Sequence, residues 1–186
     1  MIVKHFLLNV HEVNSFIAAD SETRDAMLID AGDYDERIAE YLFDKGLNLK
    51  KIFITHDHYD HTEGIAEYMN QFHPELISGT SPIGGCDARI VKHGDQIQLG
   101  RLTGKIYSTP GHTPVGLSLA LLGHVFTGDA LFAGSVGGTS NPRDYDTQLA
   151  AIREHIFTLP GDTLVHVGHG PSSTVAIEKR YNPFFV

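Results

Sequence analysis

Thr55-His-Asp-His-Tyr-Asp-His61 packs three imidazoles and two carboxylates into the six positions 56–61. His56 and His58 are two residues apart, so in an extended segment both rings point the same way and reach one metal ion. Asp60 and His61 are adjacent and fall on the following turn, where their side chains can diverge toward a second metal. On the N-terminal side, Lys51-Ile-Phe-Ile-Thr55 is a short β-rich run that leads directly into His56. On the C-terminal side, Thr62 can cap a helix over about 63–72. The spacing therefore predicts a metal-ligating loop at the C-terminal end of a strand.

Working outward, residues 2–8, 14–19 and 26–30 carry β-branched and aromatic residues between polar turn residues and predict an opening antiparallel meander. Asp33 is placed to cap a helix over about 34–46, with Ile38, Ala39, Tyr41 and Leu42 on one face and Gly46 as its stop. Further strands are predicted near 76–78, 96–99, 102–108, 116–121 and 124–127, then a helix over about 146–157 and a last strand at 163–167. Strands thus come in two batches, each followed by helices. Two sheets with helices outside them would bury these apolar strands on both faces, an α/β/β/α layering within one domain spanning residues 1–186.

Three more segments present ligand-type residues at predicted strand ends: Thr109-Pro-Gly-His112-Thr-Pro, Phe126-Thr-Gly-Asp129-Ala and His166-Val-Gly-His169-Gly-Pro. Each sets a Gly beside a His or Asp, which lets the backbone turn tightly and come close to a small cavity. Nitrogen and carboxylate ligands without thiolate suit zinc, and also iron or manganese. Two such metals about 3.5–4 Å apart share one water and lower its pKa toward ~7, so no Ser or Cys nucleophile is needed. His5, His11, His73, His93 and His155 stand in no ligand-like grouping and read as surface or packing residues. His124 and His166 lie beside ligand segments, in positions suited to a supporting contact.

HDHYDH, PGHTP, TGDALF and GHGP occur here in the order that marks the metallo-β-lactamase superfamily, which the chain resembles over almost its whole length. Leu28-Ile-Asp30-Ala-Gly resembles the family's early Asp motif, whose carboxylate supports the metal loop. The resemblance implies a four-layer αββα sandwich of two mixed sheets flanked by helices. It also implies two divalent metals, the first held by His56, His58 and His112, the second by Asp60, His61 and His169, with Asp129 bridging them. A bridging hydroxide would then be the nucleophile, with Asp60 steering it or taking its proton.

Within that superfamily the segment Phe126–Ser135 and the ending from Gly168 through Phe184 resemble the small glyoxalase II-type proteins, which hydrolyse thioesters of glutathione. Asp129 stands where many β-lactamases carry Cys, which argues against antibiotic hydrolysis. The expected activity is thus a binuclear hydrolase acting on a small-molecule thioester of the S-acylglutathione type. Two departures bear on the substrate. The sequence ends too soon after His169 for the C-terminal helical domain that grips glutathione in full-length glyoxalase II. Gly137-Gly138-Thr139-Ser140 also replaces an Arg and an Asp usual in small members. Arg143, Lys179 and Arg180 are the cations that would replace the lost anion contact. The competing reading is a persulfide dioxygenase-like oxidoreductase binding one iron through His56, His112 and Asp129.

Composition narrows the classes further. A formal charge of −9 opposes a nucleic-acid partner, whose phosphates need a basic face. Apolar runs are broken long before the ~20 residues needed to cross a bilayer, and residues 1–10 lack the pattern of an export signal. Cys86 is the only cysteine, which excludes an internal disulfide and fits a reducing cytoplasm. The oligomeric state stays open at this level.

Overall fold

The computed structural model describes residues 1–186. The first half of the chain builds one six-stranded mixed sheet. Strands β1 (Ile2–Leu7), β2 (Asn14–Ala19) and β3 (Asp25–Ile29) pair antiparallel. Helix α1 (Glu36–Asp44) then crosses to β4 (Asn48–Phe53), and helix α2 (Ile65–Phe72) to β5 (Glu75–Ser78), both strands parallel to β3, with β6 (Arg89–Ile90) at the edge. The second half repeats the plan. Strands β7 (Gln96–Leu99), β8 (Leu102–Ser108), β9 (Leu117–Leu121) and β10 (His124–Gly128) form an antiparallel run. A small hairpin, β11 (Leu131–Phe132) and β12 (Ser135–Val136), follows, then helix α3 (Pro142–Ala151). Strand β13 (Leu164–Val167) returns parallel to β10, β14 (Ser173–Thr174) pairs beside it, and α4 (Val175–Tyr181) closes the chain.

Alternation along the strands generates the layers. Phe16, Ala18, Met27, Ile29 and Phe53 point one way, into a core shared with Ile106, Leu119 and Phe126 of the second sheet. Their neighbours Ile17, Ala19, Leu28, Ile52 and Ile54 point the other way, against Ile38 and Leu42 of α1 and Ile65 and Tyr68 of α2. The far face of the second sheet does the same, since Val125, Val165 and Val167 pack on Leu149, Ile152, Ile156 and Val175. Strands apolar on both faces are what a sheet covered on both sides requires. Three stacked cores between four layers make the αββα sandwich expected from the sequence.

Several boundaries differ from expectation, each for a local reason. Helix α1 is capped by Asp35 rather than Asp33, since the Asp35 carboxylate accepts the Arg37 N–H at 2.8 Å. Helix α2 starts at Ile65, and Thr62 instead turns its hydroxyl back to the His58 carbonyl at 3.0 Å. Helix α3 begins earlier than 146, where Asn141 caps the Asp144 N–H and Pro142 occupies the first turn, and it runs on into a wider π turn at Ile152–Ile156. Helix α4, capped by Thr174, was not expected at all. No helix is long and apolar enough to cross a membrane.

Candidate metal centre

The C-terminal ends of β3, β4, β8, β10 and β13 lie along one edge of the sandwich, and each runs into one of the ligand segments. That edge is tied together by backbone hydrogen bonds: Leu117 N–H to Thr55 O at 2.8 Å, Gly168 N–H to Gly128 O at 2.9 Å and Asp30 N–H to Phe53 O at 3.0 Å. Residues drawn from five separate segments therefore meet in fixed register.

Three groups of ligand atoms form there, each closed within 4.8 Å: His56, His58 and His112; Asp60, His61 and His169; and His56, His61 and Asp129. The first two are the sets that the resemblance implies. The third shows that His61 and Asp129 lie between them, with the His56 and His61 ring centroids 4.1 Å apart. Asp129 faces both sides: its Oδ1 is 3.4 Å from His61 Nε2, and its Oδ2 is 3.5 Å from His112 Nε2 and 3.6 Å from His169 Nε2. Asp60 Oδ2 lies 3.3 Å from His169 Nε2.

Hydrogen-bond logic assigns the imidazole tautomers. His112 Nδ1 lies 2.7 Å from Gly138 O, a group that only accepts, so Nδ1 carries the proton and Nε2 is free for the cluster. Asp30, buried at φ 57, accepts from Thr55 N–H at 2.8 Å, Thr55 Oγ1–H at 2.9 Å and His61 Nδ1–H at 2.9 Å. Because Thr55 spends its proton on Asp30, its oxygen accepts from His56 Nδ1 at 3.1 Å. One carboxylate thereby sets both His56 and His61 with Nε2 turned inward, and Asp30 is hydrogen-bonded to the loop that carries them.

Two observations test whether this cradle fits metal ions. His61 Nε2 and Asp129 Oδ1, both buried, have no hydrogen-bond partner, which is costly unless something else binds them. Room is also kept for them: a Cβ at Gly168 would come within 2.0 Å of Asp129 Oδ1 and 2.8 Å of His61 Cε1. Gly128 acts likewise at φ 50, where a Cβ would meet Thr55 Oγ1 at 2.3 Å. The all-nitrogen-and-oxygen donor set and these two features fit divalent metal ions.

Charge coupling within the cluster is strong. Burial, then the neighbouring His61, hold the His56 pKa down at about 2, so its ring is neutral. Burial would lower His61 as well, but Asp30 and Asp129 on its two sides raise it to about 10 in the metal-free protein. Burial opposes ionisation of Asp129, yet the imidazoles of His61, His56 and His169 bring it down to about 2. A divalent cation would suit this arrangement of charge, and without one the proton goes to His61.

All seven expected ligands and Asp30 are brought together. The proposed cations are not. Lys179 reaches the Phe157 carbonyl at 3.4 Å in a groove with Arg153 and Phe185, Arg180 lies over the Tyr181 ring at 5.2 Å, and Arg143 sits exposed on the first turn of α3; none touches the cluster. His166 is in none of the ligand groups and instead stacks on Phe126 and is hydrogen-bonded to His124 at 2.8 Å. Sequence reasoning missed two contributors, while His11 is the surface residue expected, its Nδ1 3.6 Å from Asp60 Oδ2. Thr55 links Asp30 to His56, and fully buried Gln148 holds the Ala130 and Gly137 carbonyls at 2.9 and 3.0 Å under Asp129 and His112. Only Gln148 gave a signal, an amide among the apolar positions of a helix.

The chain matches the family model described as "Metallo-beta-lactamase superfamily" over residues 8–81 and 87–169. It is 30% identical over 187 residues to hydroxyacylglutathione hydrolase GloC of Haemophilus influenzae, covering 88% of each chain. It is 34% identical over 178 residues to the mitochondrial persulfide dioxygenase ETHE1 of Homo sapiens, covering 91% of this chain and 70% of that one. Among solved structures it resembles TTHA1623 in a di-iron-bound form, with a TM-score of 0.83 and 27% identity over 97% of this chain and 99% of that one. A family match that runs from the end of β1 to His169 takes in every segment of the cluster, and the chain belongs to the metallo-beta-lactamase superfamily.

Proposed function

We propose that the protein is a binuclear metal-dependent hydrolase that cleaves a small-molecule thioester, in the manner of the hydroxyacylglutathione hydrolases it resembles. The observation that carries this reading is the second ligand group: Asp60, His61 and His169 close on one another beside His56, His58 and His112, with Asp129 facing both. A one-metal site has no use for a second complete group. Divalent ions held by these residues, with zinc the first candidate and iron or manganese compatible with the same donors, would supply a water of pKa about 7 and polarise the thioester carbonyl.

The protein's own residues do the rest. Asp30, through Thr55 and His61, holds the His56 and His61 rings by their Nδ1–H groups and aims Nε2 at the cluster. Asp60 Oδ2, next to His169 and on the side of His11, is placed to take a proton from the attacking water. A trough of about 410 Å³ opens beside His169 between His5, His11 and Glu12 on one side and Gly170 and Pro171 on the other, and it gives the substrate its approach. Arg143, which follows the loop whose Gly138 carbonyl holds His112, is the cation of the three best placed in the chain to meet a substrate carboxylate.

A second reading is kept because of the 34% identity to a persulfide dioxygenase: one iron on His56, His112 and Asp129. The two differ in what they consume. Incubation with S-lactoylglutathione should release thiol without oxygen uptake. Oxygen uptake on glutathione persulfide, with no thioester cleavage, would replace the hydrolase by the dioxygenase.

A further inference from the structure

His169 is the only expected ligand carried between two glycines, Gly168 and Gly170, and such a segment has more backbone freedom to lose than any other in the cluster. One residue from the other sheet removes that freedom. Asn14, the first residue of β2 and only 3% exposed, donates its backbone N–H to Gly168 O at 2.7 Å. Its Nδ2 donates to Val167 O at 2.9 Å and to Gly170 O at 2.8 Å. The preceding Val13 pairs with His169 as an antiparallel bridge. Three of the four carbonyls from 167 to 170 are thus held by a single asparagine whose chain position is more than 150 residues away.

The amide cannot turn over without loss. Both of its N–H groups face carbonyls, which only accept, so Oδ1 is left to accept, and it does so from His5 Nε2 at 2.6 Å. We infer that Asn14 is a positioning residue for His169, clamping the loop that aims this imidazole at Asp60 and Asp129, and that His5 locks the clamp from outside. The inference rests on the two-metal reading above, since it concerns the metal held by Asp60, His61 and His169. Asparagine suits the task because it offers two donors and one acceptor on a short side chain. Aspartate has the same shape but would turn an acceptor toward two carbonyls, and glutamine would overshoot by a methylene.

The test is a calorimetric titration of zinc into metal-stripped full-length protein, beside circular dichroism and the visible spectrum of the cobalt-loaded form. Wild type should show two binding events. Asn14→Asp should keep the event assigned to His56, His58 and His112 and weaken the other by about 10–100-fold, the cost usual for a lost supporting contact. The cobalt bands of that site alone should shift. His5→Phe, at an exposed position where folding is not at risk, should weaken the same event several-fold, and His5→Gln, which can still donate to Oδ1, should restore it. A purely structural role would lower both affinities together or neither, and either result in His5→Phe overturns the inference even where Asn14→Asp fails to fold. A single event in the unmutated chain would overturn the two-metal reading, and this inference with it.

Discussion

Asp30→Asn is the substitution that separates the arrangement of the ligands from their mere presence. The change keeps size and shape, and asparagine tolerates the left-handed φ of 57 at this position. It replaces one carboxylate oxygen by an NH₂ group. With that group in place of Oδ2, it would donate where Thr55 Oγ1 and His61 Nδ1 now donate to it, both at 2.9 Å. His61 Nδ1 must then go without its proton, which leaves the ring proton on Nε2, the atom aimed at Asp129, where it blocks metal ligation. Flipping the amide does not help, because the NH₂ would oppose the Thr55 N–H, now 2.8 Å from Oδ1. Hydrogen bonds to a charged group are worth about 1.5–3 kcal/mol each, so the variant should lose roughly that much folding stability once Thr55 has rotated to recover one bond. For a chain of this size that is a fall in Tm of about 3–12 °C. Zinc affinity at the His61 site should fall about 10–100-fold, or about 1.4–2.7 kcal/mol. Chelator competition on metal-stripped protein reads the affinity, and scanning fluorimetry reads the stability. Wild-type affinity at both sites in a folded Asp30→Asn protein would refute the tautomer argument.

Three further outcomes follow from the same structure. Gly168→Ala puts a Cβ 2.0 Å from Asp129 Oδ1, so it should cost about 1–3 kcal/mol in denaturant unfolding and abolish stoichiometric metal binding; a fully loaded, active variant would show the cradle to be loose. Gln148→Leu leaves the buried Ala130 and Gly137 carbonyls without their donor, at about 1–3 kcal/mol for each group, and should lower Tm and turnover together; unchanged values would remove Gln148 from the site's support. His166 is held at a pKa of about 4 by burial, then by His124 and His5, against about 6.5 in an unfolded chain. Between those values the unfolded state binds the extra proton, so stability is full above about pH 6.5 and falls by up to about 3 kcal/mol as pH drops to about 4. His166→Phe should flatten that limb of the urea-unfolding profile, and an unaltered slope would contradict the assignment.

The parts of the fold and site that were legible in the sequence are those encoded locally. Three imidazoles at 56, 58 and 61 announce a metal loop by spacing alone, and the doubly apolar strands announce sheets covered on both faces. Asp30 was readable only through its motif, since nothing in residues 28–32 shows that His61 will stand beside it. Asn14 clamping the His169 loop was not readable, and Gln148 showed only as an amide among apolar helix positions, because each bond joins segments that only the finished sandwich brings together. The early start of α3 was a missed local signal, as Asn141-Pro142 is a cap followed by a first-turn proline. The failure of Lys179 and Arg180 to reach the cluster has the opposite cause. Glu178, on the same helix, turns inward to hold Gly134 N–H and Asn182, and this rotation carries its neighbours outward.

The central claim is that seven side chains hold two metals, and metal content per chain tests it most directly. Plasma mass spectrometry on protein purified without added metal, run beside thioester hydrolysis, should give two equivalents of zinc, iron or manganese together with turnover. One equivalent of iron, without hydrolysis and with oxygen uptake on a persulfide, would contradict the binuclear account.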